Sequence, residues 1–171
     1  HAAQPPHCWP GRFGLADGLG QPQIDAYVRI PKLSAAKGLS LMPLLTNLVG
    51  DTWQPEAVEN LANGPAARQE LFLQNLLAEL QRTKAAGVVI DWEQVDPAYQ
   101  ADITKLLTKM ADALHAAGRQ LWLGVQPGQD LDYIDFEAVS QQLDRFVALL
   151  FDETSDADEP GPLASREWFE S

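Results

Sequence analysis

The sequence predicts an α/β protein built on a parallel sheet, and three observations carry that prediction. Short Ala- and Gly-containing junctions recur at Ala35-Ala36-Lys37-Gly38, Lys84-Ala85-Ala86-Gly87 and His115-Ala116-Ala117-Gly118, each between a helical pattern and an apolar run. The apolar runs are near-continuous rather than alternating, as strands covered on both faces are. Their separation, roughly 30–50 residues, is that of helical crossovers joining parallel strands.

In chain order, the first 25 residues are rich in Gly, Pro and Gln and show no periodicity. They read as an irregular N-terminal segment, with the domain proper over 26–171. Residues 27–30 form a candidate short strand, and 39–45 a first clear one. Gly64-Pro65 places a proline at a first helical position, where its missing N–H costs nothing. Phe72, Leu73, Leu76, Leu77 and Leu80 then make an apolar stripe. Residues 88–92 are the next strand. Asp96-Pro97 opens another helix with Asp96 as N-cap, and Ile103, Leu106, Leu107, Met110 and Leu114 follow at spacings of three and four. Met110 reads as core packing, and His115 as a cation favoured by a helix C-terminus. Residues 120–125 form a third strand. Asp135 caps a further helix to about Leu143, and 146–151 form the last strand. The glycines at the junctions read as C′ residues, because glycine accepts left-handed φ without penalty. Residues 152–159 are an acidic loop; their alternating carboxylates suit Ca²⁺ in composition but read as a solvated turn, fixed by Pro160-Gly161-Pro162.

Composition narrows the function. At 171 residues and 46% hydrophobic content the chain is one globular domain or part of one. A net charge of −12, from 24 acidic and 12 basic residues, argues against nucleic acid and anionic membranes as partners. It is compatible with a neutral or cationic ligand such as a sugar. No apolar run reaches the roughly 18–20 residues of a membrane span, so no direct insertion is expected. Cys8 is the single cysteine, which leaves no internal disulfide and no cysteine-rich metal site; both a reduced cytosol and an extracytoplasmic location permit it. His1-Ala2-Ala3 reads as a processed or engineered start. Neither G-x-G-x-x-G nor a P-loop occurs, which sets aside a nucleotide-binding flavodoxin-like domain. No cofactor and no metal is expected.

The strongest chemical signal is Gly87-Val88-Val89-Ile90-Asp91-Trp92-Glu93, a buried-type strand that ends by delivering two carboxylates. Strand side chains alternate faces, so Asp91 and Glu93 emerge together, with Trp92 opposite. Two neighbouring acids repel as anions, and one then keeps its proton to a higher pH, as a general acid must.

This segment resembles the strand-four signature D-G-x-D-x-D-x-E of family 18 glycoside hydrolases, the chitinase-like (β/α)₈ barrels. Leu41-Met42-Pro43-Leu44-Leu45-Thr46-Asn47 is similar to the family's third strand and 120–127 to its fifth. Leu149-Leu150-Phe151-Asp152 resembles the M-x-Y-D end of the sixth, and Glu159-Pro160-Gly161-Pro162-Leu163-Ala164-Ser165 the segment after it. The similarity covers roughly residues 38–168 and is nearest to bacterial members acting on cell-wall or exported polysaccharides, including modules fused to membrane glycan synthases. It implies a parallel (β/α) barrel of TIM type, partial or abridged. Such a barrel takes about 200–250 residues, and the strands above correspond to the third to sixth, so the rest would lie beyond Ser171 or be covered by a second copy. The resemblance further implies Glu93 as general acid and Asp91 as the carboxylate orienting the acetamido nucleophile. Asp152, Phe151, Asn47 and Gln126 are the implied substrate-binding positions. In the family the acetamido oxygen attacks the anomeric carbon and the configuration is retained. Three positions depart from the pattern: Ala86 and Val89 stand where the first two aspartates would fall, and Phe151 replaces the tyrosine that donates to the acetamido group. Two functions remain open. One is hydrolysis of a β-linked N-acetylhexosamine polymer; the other is a catalytically silent carbohydrate-binding or interaction module associated with a glycan synthase. Either implies an extracytoplasmic location, periplasmic or secreted.

Overall fold

A computed structural model describes residues 12–15, 22–24, 40–125, 131–149, 161 and 165–167. The elements are β1 (Arg12–Leu15), β2 (Pro22–Ile24), β3 (Leu44–Thr46), β4 (Leu48–Val49), β5 (Thr52–Trp53), α1 (Pro55–Ala62), α2 (Ala66–Thr83), β6 (Gly87–Asp91), α3 (Gln100–Ala116), β7 (Gln120–Val125), α4 (Phe136–Val139) and β8 (Arg145–Ala148). A 3₁₀ turn, Pro97–Tyr99, leads into α3. The main sheet has the order β2-β1-β3-β6-β7-β8. β1, β3, β6, β7 and β8 are mutually parallel, and β2 joins β1 antiparallel. The parallel α/β architecture expected from the junctions is therefore what forms.

The sheet has two distinct faces. Leu45 of β3, Val88 and Ile90 of β6, and Leu121 and Leu123 of β7 pack into one apolar core with Phe72, Leu76 and Leu80 of α2 and Ile103, Leu107 and Met110 of α3. Leu44 and Val89 are also buried but lie outside that cluster. Register pairs Leu44 with Val89 and Val89 with Trp122, so these residues line the opposite, inner face. Asp91, paired with Thr46, shares it.

Helix ends show where reading by residue type succeeds and where it does not. Gly118 has φ +67 and closes α3, as expected. At the preceding junction the left-handed residue is Lys84, φ 56, whose N–H reaches the carbonyls of Leu80 and Gln81. Residue type assigns that role to Gly87, but the reason for glycine there is close approach: a Cβ would sit 2.0 Å from the Gln120 carbonyl oxygen. Pro65 is the N-cap of α2, one position before the first turn. Asp96 and Asp135 do cap, accepting from the N–H groups of Ala98 and Ala138. The helix after Asp135 spans only four residues, because by Asp144 the chain has already returned to the sheet through its N–H to the Leu121 carbonyl.

Further differences have simple causes. β1 and β2, of four and three residues, lie in the segment that reads as irregular; strands that short, holding Gly14 and Pro22, have no length over which to alternate. α1, with eight residues, is an element that the sequence reading lacks, although Pro55 opens it and Val58, Leu61 and Ala62 are buried. Gln69 bolts its end: Nε2 donates to the Leu61 and Ala62 carbonyls at 3.1 and 2.8 Å, while Oε1 accepts from Lys109 Nζ at 2.6 Å. The last strand begins at Arg145, one residue early, and 150–151 lie outside the described residues, as do 27–30 and the acidic loop 152–159.

Two smaller features lie near opposite ends of the sheet. β4 and β5 make a separate two-stranded hairpin just past β3, closed at its base by the Gln54 N–H donating to the Asn47 carbonyl at 2.8 Å. At the other end, Asp144 Oδ2 meets His115 Nε2 at 2.9 Å and accepts from the Leu121 N–H. Partial burial raises that carboxyl's proton affinity, but the His115 and Leu121 hydrogen bonds outweigh it and hold the pKa below its ordinary value.

Candidate active site

β6 is central in the sheet, buried at all five positions, and paired on both sides. Its carboxyl end is where active sites of parallel barrels gather. Asp91 ends the strand on the inner face and is 8% exposed. Trp92 turns the other way, into the apolar core at 1%. Glu93 follows, half-buried, at the point where the regular ladder has stopped.

Side chains take over where backbone pairing ends. Asn47, just past β3, accepts from the Glu93 N–H through Oδ1 and donates to the Glu93 carbonyl through Nδ2, both at 2.9 Å. The buried amide thus continues the β3–β6 ladder by one residue. The resemblance implies a substrate contact for Asn47; in the structure both ends of its amide hydrogen-bond the Glu93 backbone and the residue is fully buried. On the other flank, Tyr133, in the loop after β7, donates its hydroxyl to the Trp92 carbonyl at 2.5 Å. Gln94 then adopts φ 60, a left-handed value that a residue with a Cβ takes at a cost, and the chain reverses to bury Val95.

Tyr133 also shows that the two acids share one neighbourhood. Its phenol pKa is raised, first by burial and then by the charges of both Asp91 and Glu93. Below Asp91 on the inner face stands Val89, 1% exposed, between Leu44 and Trp122. An aliphatic group there supplies no proton for Asp91 to share. Asp152, Phe151 and Gln126 lie outside the described residues. Among the described residues, no group of three or more His, Cys, Asp or Glu could hold a metal ion. Sequence reasoning misses Tyr133. Its only signal is an aromatic residue with a hydroxyl in an otherwise polar loop after a strand.

Parallel strands alternating with helices, with Asp91 and Glu93 at the exit of the central strand, make an α/β architecture of the partial-barrel kind. The resemblance to the family 18 chitinase-like proteins is borne out by the relatives the chain matches. It is 31% identical over 127 residues to a Bacillus subtilis (strain 168) protein named as a sporulation-specific glycosylase, YdhD, a match covering 70% of this chain and 30% of that protein. The crystal structure of that glycosylase superposes with TM-score 0.75 at 22% identity, covering 93% of this chain and 54% of the other. A chitinase from Chromobacterium violaceum ATCC 12472 gives 0.75 at 19%, covering 94% and 52%. The spore cortex-lytic enzyme SleL of Bacillus megaterium QM B1551 gives 0.74 at 14%, covering 84% and 35%. The chain therefore spans less than two thirds of the length of each of these proteins. No protein-family model matches it. Among the described residues no helix is long and apolar enough to cross a membrane.

Proposed function

We propose that this chain is the acid-bearing part of a glycoside hydrolase acting on a β-linked N-acetylhexosamine polymer by substrate-assisted, retaining hydrolysis. One observation carries the reading: Asp91 and Glu93 leave the carboxyl end of the central strand together, and a buried phenol feels both charges. Glu93, half-exposed and rigidly held by its backbone, is the group able to deliver a proton to a leaving oxygen. Asp91, more buried beneath it, suits the task of orienting and stabilising the acetamido group as it attacks. The names of the similar proteins, a glycosylase, a chitinase and a cortex-lytic enzyme, support a polysaccharide substrate and an extracytoplasmic place of action.

Val89 favours a second reading. With an aliphatic side chain below Asp91, and Phe151 where the family has tyrosine, the chain serves instead as a silent sugar-binding module associated with a glycan synthase. One experiment separates the two: incubation with chito-oligosaccharides, read by mass spectrometry for cleavage and by calorimetry for binding. Hydrolysis predicts that Glu93→Gln lowers turnover by roughly 10²–10⁴ while binding stays within a few-fold. Restoring the helpers, as Val89→Asp with Phe151→Tyr, then raises activity. A silent module binds in every variant and cleaves in none. Cleavage that survives Glu93→Gln unchanged shows the acid to be another residue.

A further inference from the structure

We propose that Tyr133 is a positioning residue for the acid: by holding the peptide between Trp92 and Glu93 from the loop after β7, it fixes where the Glu93 carboxyl points. The inference rests on Glu93 being the acid.

A phenol has one proton to donate, and here it goes to the Trp92 carbonyl at 2.5 Å, not to either carboxylate. Tyr133 therefore acts on Glu93 through the main chain. The ring is buried at 1% exposure, so the hydroxyl is aimed by packing rather than by chance. The loop that carries it is itself anchored. Ile134 N–H closes a turn onto the Leu131 carbonyl at 2.8 Å, and Gln100 Nε2, at the start of α3, donates to the Asp132 carbonyl at 2.7 Å. α3 is in turn reached from Glu93 through Gln94, Val95 and the Asp96 cap. The result is a closed circuit of chain and hydrogen bonds around the turn that presents the acid. Asn47 holds the same turn from the β3 side, so Glu93 is gripped by both neighbours of β6 in the sheet. A glutamate at a strand exit otherwise has several rotatable bonds, and proton delivery falls steeply with misplacement.

Tyr133→Phe keeps the ring and removes the hydrogen bond. With an N-acetylated chito-oligosaccharide as substrate, kcat is expected to fall roughly tenfold while KM stays within about twofold, since the sugar contacts are untouched. The basic limb of the pH–rate profile, which reports the acid, is expected to move. A merely structural role lowers the melting temperature without moving that limb or splitting kcat from KM. A second measurement does not depend on turnover: amide exchange of Glu93 and titration of its carboxyl by NMR, in wild type and Tyr133→Phe. Faster exchange and a shifted titration in a protein that cleaves nothing support the positioning while removing the catalytic reading. An unchanged pH limb, exchange rate and titration overturn the proposal.

Discussion

The two ends of β6 are built by opposite means. At its amino end everything is backbone. The Ala86 N–H donates to the Leu41 carbonyl at 2.8 Å, the Ala86 carbonyl accepts from Gln120 at 2.9 Å, and Gly87 exists because no side chain fits against Gln120. At its carboxyl end, side chains from two neighbouring elements hold the chain, and a strained residue follows. Main-chain ladders are indifferent to sequence and suit a stable base. Side-chain clamps are specific and fix one residue in place, which is the division between a stable end and a site-bearing end that parallel barrels follow.

Four substitutions or conditions test that contrast, from the largest effect to the smallest. Gly87→Ala should unfold the protein or cost more than about 4 kcal/mol, because the obstructing atoms are backbone and cannot move aside; chemical denaturation reads this. Asn47→Ala should cost about 2–3 kcal/mol, since it strands the Glu93 N–H and carbonyl in a part-buried site, and activity should fall further than stability explains. Third, the raised Tyr133 pKa has a defined alkaline signature. The folded state keeps the phenol neutral above the ordinary value of 10.0, whereas the unfolded chain ionises there. Stability from this group is complete below pH 10 and is lost as pH rises beyond it, at up to about 1.4 kcal/mol per pH unit. Melting curves at rising pH should show a difference in slope between wild type and Tyr133→Phe. Smallest of all, Gln94→Gly should relieve the left-handed strain, changing stability by no more than about 1 kcal/mol in the favourable direction, while loosening Glu93 and lowering turnover.

Much of this contrast is legible in residue order, and the part that is not has a physical reason. Near-continuous apolar runs specify buried parallel strands, and β7 forms over the residues expected. The pair Asp91 and Glu93 is visible because charged residues at the end of an apolar strand are unusual. Gly87 misleads because glycine has two uses, left-handed φ and close approach, and residue type does not distinguish them; Lys84 takes the first role under tertiary constraint. Asn47 is a candidate only through the resemblance of 41–47 to the family's third strand, and whether its amide faces sugar or backbone depends on register between strands more than 40 residues apart in the chain. Tyr133 escapes because its partner is a main-chain carbonyl, and no sequence pattern announces a hydrogen bond to a backbone atom.

The β4–β5 hairpin sits beside this clamped turn and carries its own ladder. Because residues 47 and 54 are already joined by a hydrogen bond, the segment between them is a cassette with a fixed socket. Lengthening it adds only slowly growing closure entropy, about 0.6 kcal/mol per doubling. Length and sequence between the two anchors can therefore vary without disturbing the hold of Asn47 on the Glu93 backbone, and the segment between Asn47 and Gln54 is a ready entry point for insertion.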